Sequence, residues 1–400
     1  PAQMPVLVSS LALAGDSGVT LFFILSGFLL FMPYAKTLLF DAPWPSLRVF
    51  YLRRALRILP AYYVTLFAMI LLYSPSYLQP DHLKQLFFFL TLFMDSSTHT
   101  FKAINGPFWS LAVEWQFYLL LPLLMLAIRP LVRRGSLVRR IFTLSGCLFA
   151  LAAFGLGTRA LGLYVTAHPT ATFHLPPIVL KIFLFFTYGV TTSGLHGKFL
   201  EDFAIGMTAS ACYILASSFA GNARVQRLLR LASPLLLLAG LACLLLMAGW
   251  KYDVSRVHSI PAFDAWTQYP QWSELGFSIG YGLCLLAILF GPAALNAIFS
   301  WHPLRWLGIL SFGIYMWHLK LLEALTKYVK PLFGSWAHLG IYGLYWGWFF
   351  AFVAPFALVL FMLVEKPSTR LSDRLRKMLQ PRLAPKPVTR EAATAEYQKT

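Results

Sequence analysis

The sequence predicts an all-α protein, a polytopic bundle of transmembrane helices, and three observations support this fold class. Of the 400 residues, 58% are hydrophobic and only 12% are charged, whereas soluble domains average about 25% charged residues. Nine apolar runs of 16 or more residues follow one another along the chain, which is close to the length needed to cross a bilayer. Basic residues are concentrated in alternate connections between these runs, as the positive-inside rule predicts.

The nine predicted spans are 18–35, 58–73, 108–128, 141–164, 199–219, 232–250, 273–298, 304–327 and 338–364. Two weaker apolar runs, 83–94 and 178–193, are interpreted as connections. The first is too short to span comfortably. Counting either run as a span would move every later connection to the opposite side of the membrane and weaken the charge asymmetry.

The charge distribution orients this bundle. With nine spans, 23 of the 33 Lys and Arg residues fall on one side, seven fall on the other, and three lie inside spans. The basic side is therefore predicted to be cytoplasmic, with the C-terminus inside and the first residues outside. This orientation accounts for the net charge of +18, so no nucleic-acid partner is predicted.

Three segments follow from this topology. Residues 1–17 are interpreted as an external stub, residues 18–370 as the membrane domain, and residues 371–400 as a basic, disordered cytoplasmic tail. An odd number of spans with an external start predicts a further helix before the stub. The four cysteines are far apart in apolar runs, so neither disulfides nor a metal site is predicted.

In the first span, Phe22, Phe23 and Ser26 share one helical face by their three- and four-residue spacing, and Gly27 lies beside Ser26. Gly27 would let another group approach the backbone. Ordinary packing between helices through small residues is the alternative interpretation.

Three arginines crowd the start of the second span, in FYLRRALRILP. Arg57 is four residues from Arg53 and three from Arg54, so like charges crowd one helical surface and repel, and an anionic partner is favoured. A guanidinium binds phosphate through a planar fork. The partner could be a phosphorylated cofactor or an anionic lipid headgroup.

A carboxylate interrupts the third span, WSLAVEWQFYLLLPLL. Placing such a group at a bilayer centre costs about 2.5–3.5 kcal/mol on insertion scales. On a helix, Ser110, Glu114 and Tyr118 lie on one face at intervals of four, and Trp109 marks the outer interface. Glu114 is interpreted as functional, with structural satisfaction by hydroxyls or an arginine as the alternative.

A polar stripe also marks LGILSFGIYMWHLK, where Ser311, Tyr315 and His318 recur at intervals of four and three. His318 is a candidate for proton transfer or acceptor binding, against the alternative of a satisfied core histidine. By contrast, Glu201 and Asp202 in FLEDFAIGM are expected to be solvated at the outer interface. Glu365 in VEKP is expected to be part of a structural anchor.

In their order along the chain, these stretches resemble the acyltransferase 3 family of integral membrane acyltransferases. The resemblance rests on GVTLFFILSGFLL, FYLRRALRILP, PFWSLAVEWQFYLLLPLL, FLEDFAIGM, LSFGIYMWHL and VEKP, and it runs from about Gly18 to Arg370. It implies ten membrane helices and transfer of an acyl group, commonly acetyl, from cytoplasmic acyl-CoA. The implied acceptor is a hydroxyl of a glycan, a glycolipid or a glycosylated metabolite at the extracytoplasmic face.

The resemblance also suggests roles. Arg53, Arg54 and Arg57 would hold the phosphates of acyl-CoA, a co-substrate and not a tightly bound cofactor. The family's first helix typically carries a catalytic histidine, which this sequence lacks, and Glu114 would fix its tautomer or accept charge. His318 is the second catalytic candidate. The candidates for lining the acyl or acceptor pocket are Phe23, Ser26, Gly27, Trp109, Ser110, Tyr118, Ser311 and Tyr315.

Two other functional classes remain open at this stage. A transporter or flippase would use Glu114 and His318 to relay protons and would not need the arginine triplet. A non-enzymatic membrane scaffold would not need buried Glu and His side chains.

Overall fold

The computed structural model describes residues 6–167, 188–191, 194–258, 260, 261, 263, 271–333 and 338–379. Within these ranges the chain is predominantly helical. The described residues also include one antiparallel hairpin, β1 (Tyr188–Thr191) and β2 (Gly194–Gly197). This hairpin lies in a connection between two helices, so the bundle itself is all-α, as predicted.

The α-helices are, in chain order, α1 (Val6–Leu13), α2 (Gly18–Phe40), α3 (Leu47–Tyr73), α4 (Leu83–Leu90), α5 (Phe108–Val132), α6 (Leu137–Ala167), α7 (Leu200–Ser218), α8 (Ala223–Tyr252), α9 (Gln271–Phe290), α10 (Ala293–Ser300), α11 (His302–Ala324), α12 (His338–Trp348), α13 (Ala354–Leu360) and α14 (Lys366–Leu379). Short 3-10 turns cover Ala14–Ser17, Pro75–Leu78, Pro80–His82, Met94–Ser96 and Lys330–Phe333. Single π-helical turns cover Asp253–Val257, Leu325–Val329, Phe349–Val353 and Phe361–Glu365.

Seven helical stretches in the described part of the chain are long and apolar enough to cross a membrane: Val6–Phe40, Leu47–Tyr73, Phe108–Val132, Leu137–Gly162, Ala223–Ser255, Trp272–Phe290 and Gly343–Leu379. Each of the nine predicted spans overlaps a helix, but those at 199–219 and 304–327 are not among the seven. Helices α7 and α11 carry the acidic, basic and histidine side chains that lower their hydropathy.

The central contact of the bundle joins α2 to α7. A Cβ at Gly27 would overlap the backbone oxygen of Phe203, and a Cβ at Gly206 would overlap the backbone oxygen of Ile24. Reciprocal glycines thus bring the two backbones together, as small residues commonly do between membrane helices. The Phe203 ring also stacks on Phe117 of α5, with ring centroids 3.8 Å apart.

The outer surface of the bundle is apolar. Helix α8 points its leucines away from the protein, and Leu235 and Leu238 are each 68% exposed. Large exposed apolar surfaces are uncommon on soluble monomers. This surface is suited to contact with lipid chains.

The structure also bears on the weaker apolar runs and on both ends of the membrane domain. Helix α4 confirms that 83–94 is too short to span, whereas most of 178–193 lies outside the described residues. Within the predicted external stub, Val6–Leu13 is helical and leads into α2. Helix α14 continues to Leu379, so the predicted disorder is wrong for residues 371–379. Pro367 is compatible with this helix, because it lies in the first turn of α14, where its missing N–H is not needed.

An ion cluster ties the end of α2 to α5 and α6. Asp41 ends α2 in a left-handed conformation, and its two carboxylate oxygens each lie 2.6 Å from a guanidinium nitrogen, one of Arg133 and one of Arg140. These arginines hold the pKa of Asp41 below its usual value, so Asp41 stays ionised at neutral pH. The basic connection between α5 and α6 is thereby fastened to the bundle.

Candidate functional site

Glu114 is buried in the bundle and is bound by hydroxyls from two helices. Its side chain is on α5 and its residue is 3% exposed. Ser26 of α2 donates to Oε1 over 2.8 Å, and Tyr118, one turn further along α5, donates to the same oxygen. Neither hydrogen bond uses Oε2. The predicted functional carboxylate is thus held in place by a hydroxyl and a phenol.

Ser110 has a different partner from the predicted one. Its hydroxyl lies 2.5 Å from the hydroxyl of Tyr315 on α11, and it can also donate to the backbone oxygen of Pro107 over 3.0 Å. Ser110 therefore connects α5 to α11 and does not bind Glu114 directly. Tyr315 lies close enough to Glu114 for an electrostatic interaction with it.

His318 lies on α11, one turn beyond Tyr315. Its Nδ1 is 2.7 Å from the backbone oxygen of Tyr315. A carbonyl can only accept, so the proton belongs to Nδ1, and in the neutral ring Nε2 is the acceptor. Ser311 is exposed and donates to the backbone of Gly308. The predicted stripe therefore divides, with Tyr315 and His318 adjacent and Ser311 outside.

The arginine triplet is also divided by its packing. Arg54 is half-buried with its guanidinium over the ring of Tyr118, 5.6 Å from the centroid. Arg53 and Arg57 are exposed. Arg57 lies near enough to both Glu114 and Glu365 to interact with them electrostatically.

Arg54, Tyr118 and Glu114 thus form a continuous contact from the arginine cluster to the buried carboxylate. A guanidinium over a tyrosine ring is a cation–π arrangement, and it leaves the donors at the guanidinium edge available to an anion. The two predicted groups of site residues therefore meet through the Tyr118 side chain.

An aromatic wall lies at the other end of this site. Phe199, which precedes α7, packs against Phe23 and Trp109 with ring centroids 5.3 Å and 5.4 Å away. Phe23 is fully buried and also contacts Phe203. Gly27, by contrast, opens no pocket, because the backbone of Phe203 fills the space. In the structure Gly27 therefore serves close packing between α2 and α7, which was the alternative interpretation.

The expectation that Glu201 and Asp202 are solvated is wrong. Both acids begin α7 and are buried, at 1% and 0% exposure. Arg159 of α6 forms ion pairs with Glu201 and with Glu274 of α9. Ser278, also on α9, donates to Oδ1 of Asp202.

A second buried ion pair was also missed. Lys198 Nζ lies 2.5 Å from Oδ2 of Asp95, and Gln116 donates to Oδ1 of Asp95 over 2.8 Å. Helix α5 is thereby joined to the connections that precede α5 and α7. Arg159, which is charged and lies inside a predicted span, was the sequence signal for the first cluster. For the pair of Lys198 and Asp95, no feature of the sequence indicated that two residues about 100 positions apart are in contact.

No metal centre is found in the part of the chain that the structure describes. No three His, Cys, Asp or Glu side chains there are arranged to hold an ion. Around Glu114 the structure offers a fixed carboxylate, hydroxyl donors and a cluster of cations, and the imidazole of His318 lies beside Tyr315.

Comparison with protein families gives one match that covers most of the sequence. A family model described as an acyltransferase domain, the acyltransferase 3 model, matches residues 3–365. No solved structure matches the chain significantly.

Three curated proteins are similar to the chain. It is 26% identical over 344 residues to a protein of Listeria monocytogenes named peptidoglycan O-acetyltransferase OatA, covering 80% of this chain and 47% of that protein. It is 24% identical over 326 residues to the putative peptidoglycan O-acetyltransferase YrhL of Bacillus subtilis, covering 76% and 44%. It is 28% identical over 151 residues to nodulation protein 10 of Rhizobium leguminosarum bv. viciae, covering 33% and 39%. The chain thus spans less than half the length of these relatives.

Proposed function

The chain belongs to the acyltransferase 3 family, whose model it matches over residues 3–365, and from this membership we propose that it is a membrane O-acyltransferase. In this proposal it moves an acyl group, in the simplest case acetyl, from cytoplasmic acyl-CoA to an acceptor hydroxyl. The acceptor is a glycan, glycolipid or glycosylated metabolite at the opposite membrane face. The names of two relatives, both peptidoglycan O-acetyltransferases, support O-acetylation of a glycan.

One observation carries the proposal: a buried carboxylate is connected through one phenol to a cluster of arginines. Glu114 accepts from Tyr118, and Arg54 lies over the ring of Tyr118. An acyl-CoA transferase needs phosphate-binding groups and a proton-handling group within reach of one extended substrate. The contact through Tyr118 brings these two kinds of group together.

At the donor end, Arg53 and Arg57 are exposed and can meet a phosphate arriving from solvent. Arg54 is held against Tyr118 and continues the positive charge inward. A guanidinium binds phosphate oxygens through two parallel N–H donors. The thioester end of acyl-CoA would then extend into the bundle toward Glu114, Ser26 and the aromatic wall.

The proposed chemistry is an ordinary acyl transfer. The acceptor hydroxyl loses its proton to a base and attacks the thioester carbonyl, so a C–O bond forms. The tetrahedral intermediate then breaks its C–S bond, and the coenzyme A thiolate takes up a proton. Hydroxyl donors near the site, such as Ser110 and Tyr315, would stabilise the oxyanion.

Two residues have proposed catalytic roles. The family resemblance implies a histidine as base, and Glu114 would fix its tautomer or accept its charge. His318 has Nδ1 committed to a backbone oxygen, so Nε2 is the atom that would exchange a proton. Direct transfer and a covalent acyl-enzyme are both compatible with these roles.

The proposed topology has nine membrane crossings in this sequence and ten in the family. It includes α7 and α11 as crossings and places the C-terminus in the cytoplasm. The charge asymmetry between connections supports it, as does the overlap of each predicted span with a helix. In this orientation the arginines face the compartment that contains acyl-CoA.

The test is an acyl-transfer assay on the full-length protein in lipid nanodiscs. Radiolabelled acetyl-CoA is supplied with N-acetylglucosamine oligosaccharides, and both thiol release and labelled sugar are measured. We expect Arg54→Ala to raise the KM for acetyl-CoA about tenfold or more, because a charged hydrogen bond to phosphate is lost.

The matched control is Arg133→Ala, which removes a basic residue that is tied to Asp41 at 2.6 Å. It should leave the KM for acetyl-CoA unchanged. Equal KM values for acetyl-CoA in the wild type, Arg54→Ala and Arg133→Ala would refute the donor site. The absence of thiol release from any acyl-CoA would refute the proposed function.

A further inference from the structure

A second buried charge cluster lies apart from Glu114, at the start of α7. We call Arg159, Glu201, Asp202, Glu274 and Ser278 the Arg159 cluster. Helices α6, α7 and α9 each contribute to it. Arg159, Glu201 and Asp202 are 3%, 1% and 0% exposed, respectively.

The charges of the Arg159 cluster do not balance. Arg159 pairs with Glu201 and Glu274, and Asp202 receives a hydrogen bond only from the neutral Ser278. Lys198, which lies shortly before α7, is paired with Asp95. Three carboxylates therefore share one guanidinium among the described residues. Asp202 is fully buried without a cation of its own, and burying such a group is expensive, so the ion pairs of the cluster do not account for Asp202.

Several polar atoms of the cluster are buried without a hydrogen-bond partner. In the described part of the chain these are Oε2 of Glu201, Oδ2 of Asp202, Nε of Arg159 and Oε2 of Glu274, the last of which is ion-paired with Arg159. Buried polar groups in folded proteins are nearly always hydrogen-bonded. Two open acceptors beside one open donor suit a ligand that both donates and accepts hydrogen bonds.

Hydroxyl groups have that dual character. A divalent metal ion would instead need several carboxylate or imidazole ligands converging on one point, and the described residues contain no such group. The open atoms therefore favour a polyhydroxylated ligand over a metal.

The cluster is closely packed on the side of α6 and accessible on the side of α9. A Cβ at Gly155 of α6 would overlap Oε2 and the backbone nitrogen of Glu201, so only glycine lets the start of α7 approach α6 this closely. The Glu274 side chain is 44% exposed, so the cluster reaches the surface of the protein on that side.

The Arg159 cluster and the Glu114 site share one aromatic wall. Arg159 lies over the ring of Phe199, 4.6 Å from its centroid. The same ring packs against Trp109 and Phe23. A ligand that extends along this wall can contact both sites, with its reactive hydroxyl on one side and further hydroxyls on the other.

We propose that the Arg159 cluster is a binding subsite for hydroxyl groups of a polyhydroxylated acceptor, holding a sugar unit beyond the one that is acylated. Glu201, Asp202 and Glu274 accept hydrogen bonds from the hydroxyls, and Arg159 donates. This inference rests on the proposed function, because it assigns part of the acceptor to a site that the acyl-transfer chemistry does not use.

The experiment measures sugar binding directly, without acyl-CoA. Full-length protein in nanodiscs is titrated with N-acetylglucosamine and with its trisaccharide, and binding is followed by microscale thermophoresis. The variants are Glu274→Gln, whose side chain is partly exposed, and Asp202→Asn, which keeps the shape of the buried group. The control is Asp16→Asn, which removes the exposed ion pair with Lys251.

We expect the wild type and Asp16→Asn to bind the trisaccharide more tightly than the monosaccharide. Glu274→Gln and Asp202→Asn should weaken trisaccharide binding about tenfold or more, since hydrogen bonds to charged groups are lost. Monosaccharide binding should change little. Thermal unfolding of Glu274→Gln should match that of the wild type.

Three results would overturn the proposal. The first is no trisaccharide binding by the wild type, and the second is equal trisaccharide binding by the wild type and Glu274→Gln. The third is stabilisation of the wild type, but not of the variants, by sodium or magnesium chloride alone, which would indicate a cation site. Loss of acyl transfer with intact, Glu274-dependent sugar binding would instead count against the proposed function only.

Discussion

Glu114 combines burial, two hydrogen bonds to one oxygen and a nearby positive charge. Ser26 and Tyr118 both donate to Oε1, and Arg54 lies over the ring of Tyr118. These contacts offset the free-energy cost of removing the carboxylate from water. They also fix its orientation, which a group that positions a base or accepts a proton requires.

Replacing this carboxylate tests its catalytic role. We expect Glu114→Gln to lower kcat for acyl transfer about 100-fold or more, the usual range for a general acid–base group. The KM for acetyl-CoA should change much less, because the arginines remain. The measurement is steady-state transfer of labelled acetyl to the sugar acceptor.

Glu323→Gln is the matched control for this prediction. Glu323 is exposed and pairs with Lys320 on the same helix, and such surface pairs contribute little. Its kcat should equal that of the wild type. A Glu114→Gln protein with normal kcat would show that the carboxylate is structural.

At the residue scale, the sequence predicted neighbours along one helix better than partners on another. Tyr118 binds Glu114 as its spacing of four residues predicts. Ser110 has the same spacing but contacts Tyr315 of α11. A hydroxyl can hydrogen-bond to any polar group within reach, and the sequence does not show which helix lies opposite. The prediction that Glu201 and Asp202 are solvated was wrong for the same reason.

At the scale of elements, the approach of α2 and α7 positions the site. Gly27 and Gly206 bring the two backbones into contact. Helix α2 also carries Ser26 and Phe23, and α7 carries Phe203, whose ring packs against Phe23. A change in this contact should therefore move Ser26 relative to Glu114. Both glycines were visible in the sequence, but their reciprocal packing was not.

Adding one methyl group at this contact tests its importance. Gly206→Ala should destabilise the protein by about 1–3 kcal/mol, the usual effect of overpacking, because the methyl group would overlap the backbone of Ile24. The shift is read as a lower thermal unfolding midpoint in nanodiscs. Acyl transfer should fall as well, because the hydrogen bond from Ser26 to Glu114 is disturbed.

Gly146→Ala is the comparison, since Gly146 lies within helix α6 and a Cβ there would meet no atom within 4 Å. Alanine also has the higher helix propensity, so this variant should be as stable as the wild type or slightly more stable. If both alanine variants unfold at the same temperature, the α2–α7 contact is looser than the structure indicates.

At the scale of the whole molecule, charge asymmetry predicts the orientation of the bundle. The connection between α5 and α6 is basic and is fastened through Asp41, whereas the connection between α4 and α5 carries one basic residue, Lys102. The first should face the cytoplasm and the second the opposite compartment.

Cysteine labelling tests this orientation. In a background without the four native cysteines, Thr98→Cys and Ser136→Cys place single thiols at exposed positions in these two connections. A membrane-impermeant maleimide applied to intact cells should label Thr98→Cys. Ser136→Cys should be labelled only after permeabilisation. Labelling of both, or of neither, in intact cells would contradict the proposed topology.

The sequence by itself determined the helical class, the approximate limits of the helices and the residues that could carry chemistry. These properties depend on composition and on periodicity within a segment, which local physics controls. Only the tertiary structure decided which polar side chains meet: Ser26 with Glu114, Ser110 with Tyr315, and Arg159 with Glu201 and Glu274. Such pairs depend on how the helices rotate and approach one another. That arrangement follows from glycine contacts and aromatic packing between segments far apart in the chain, which no single segment encodes.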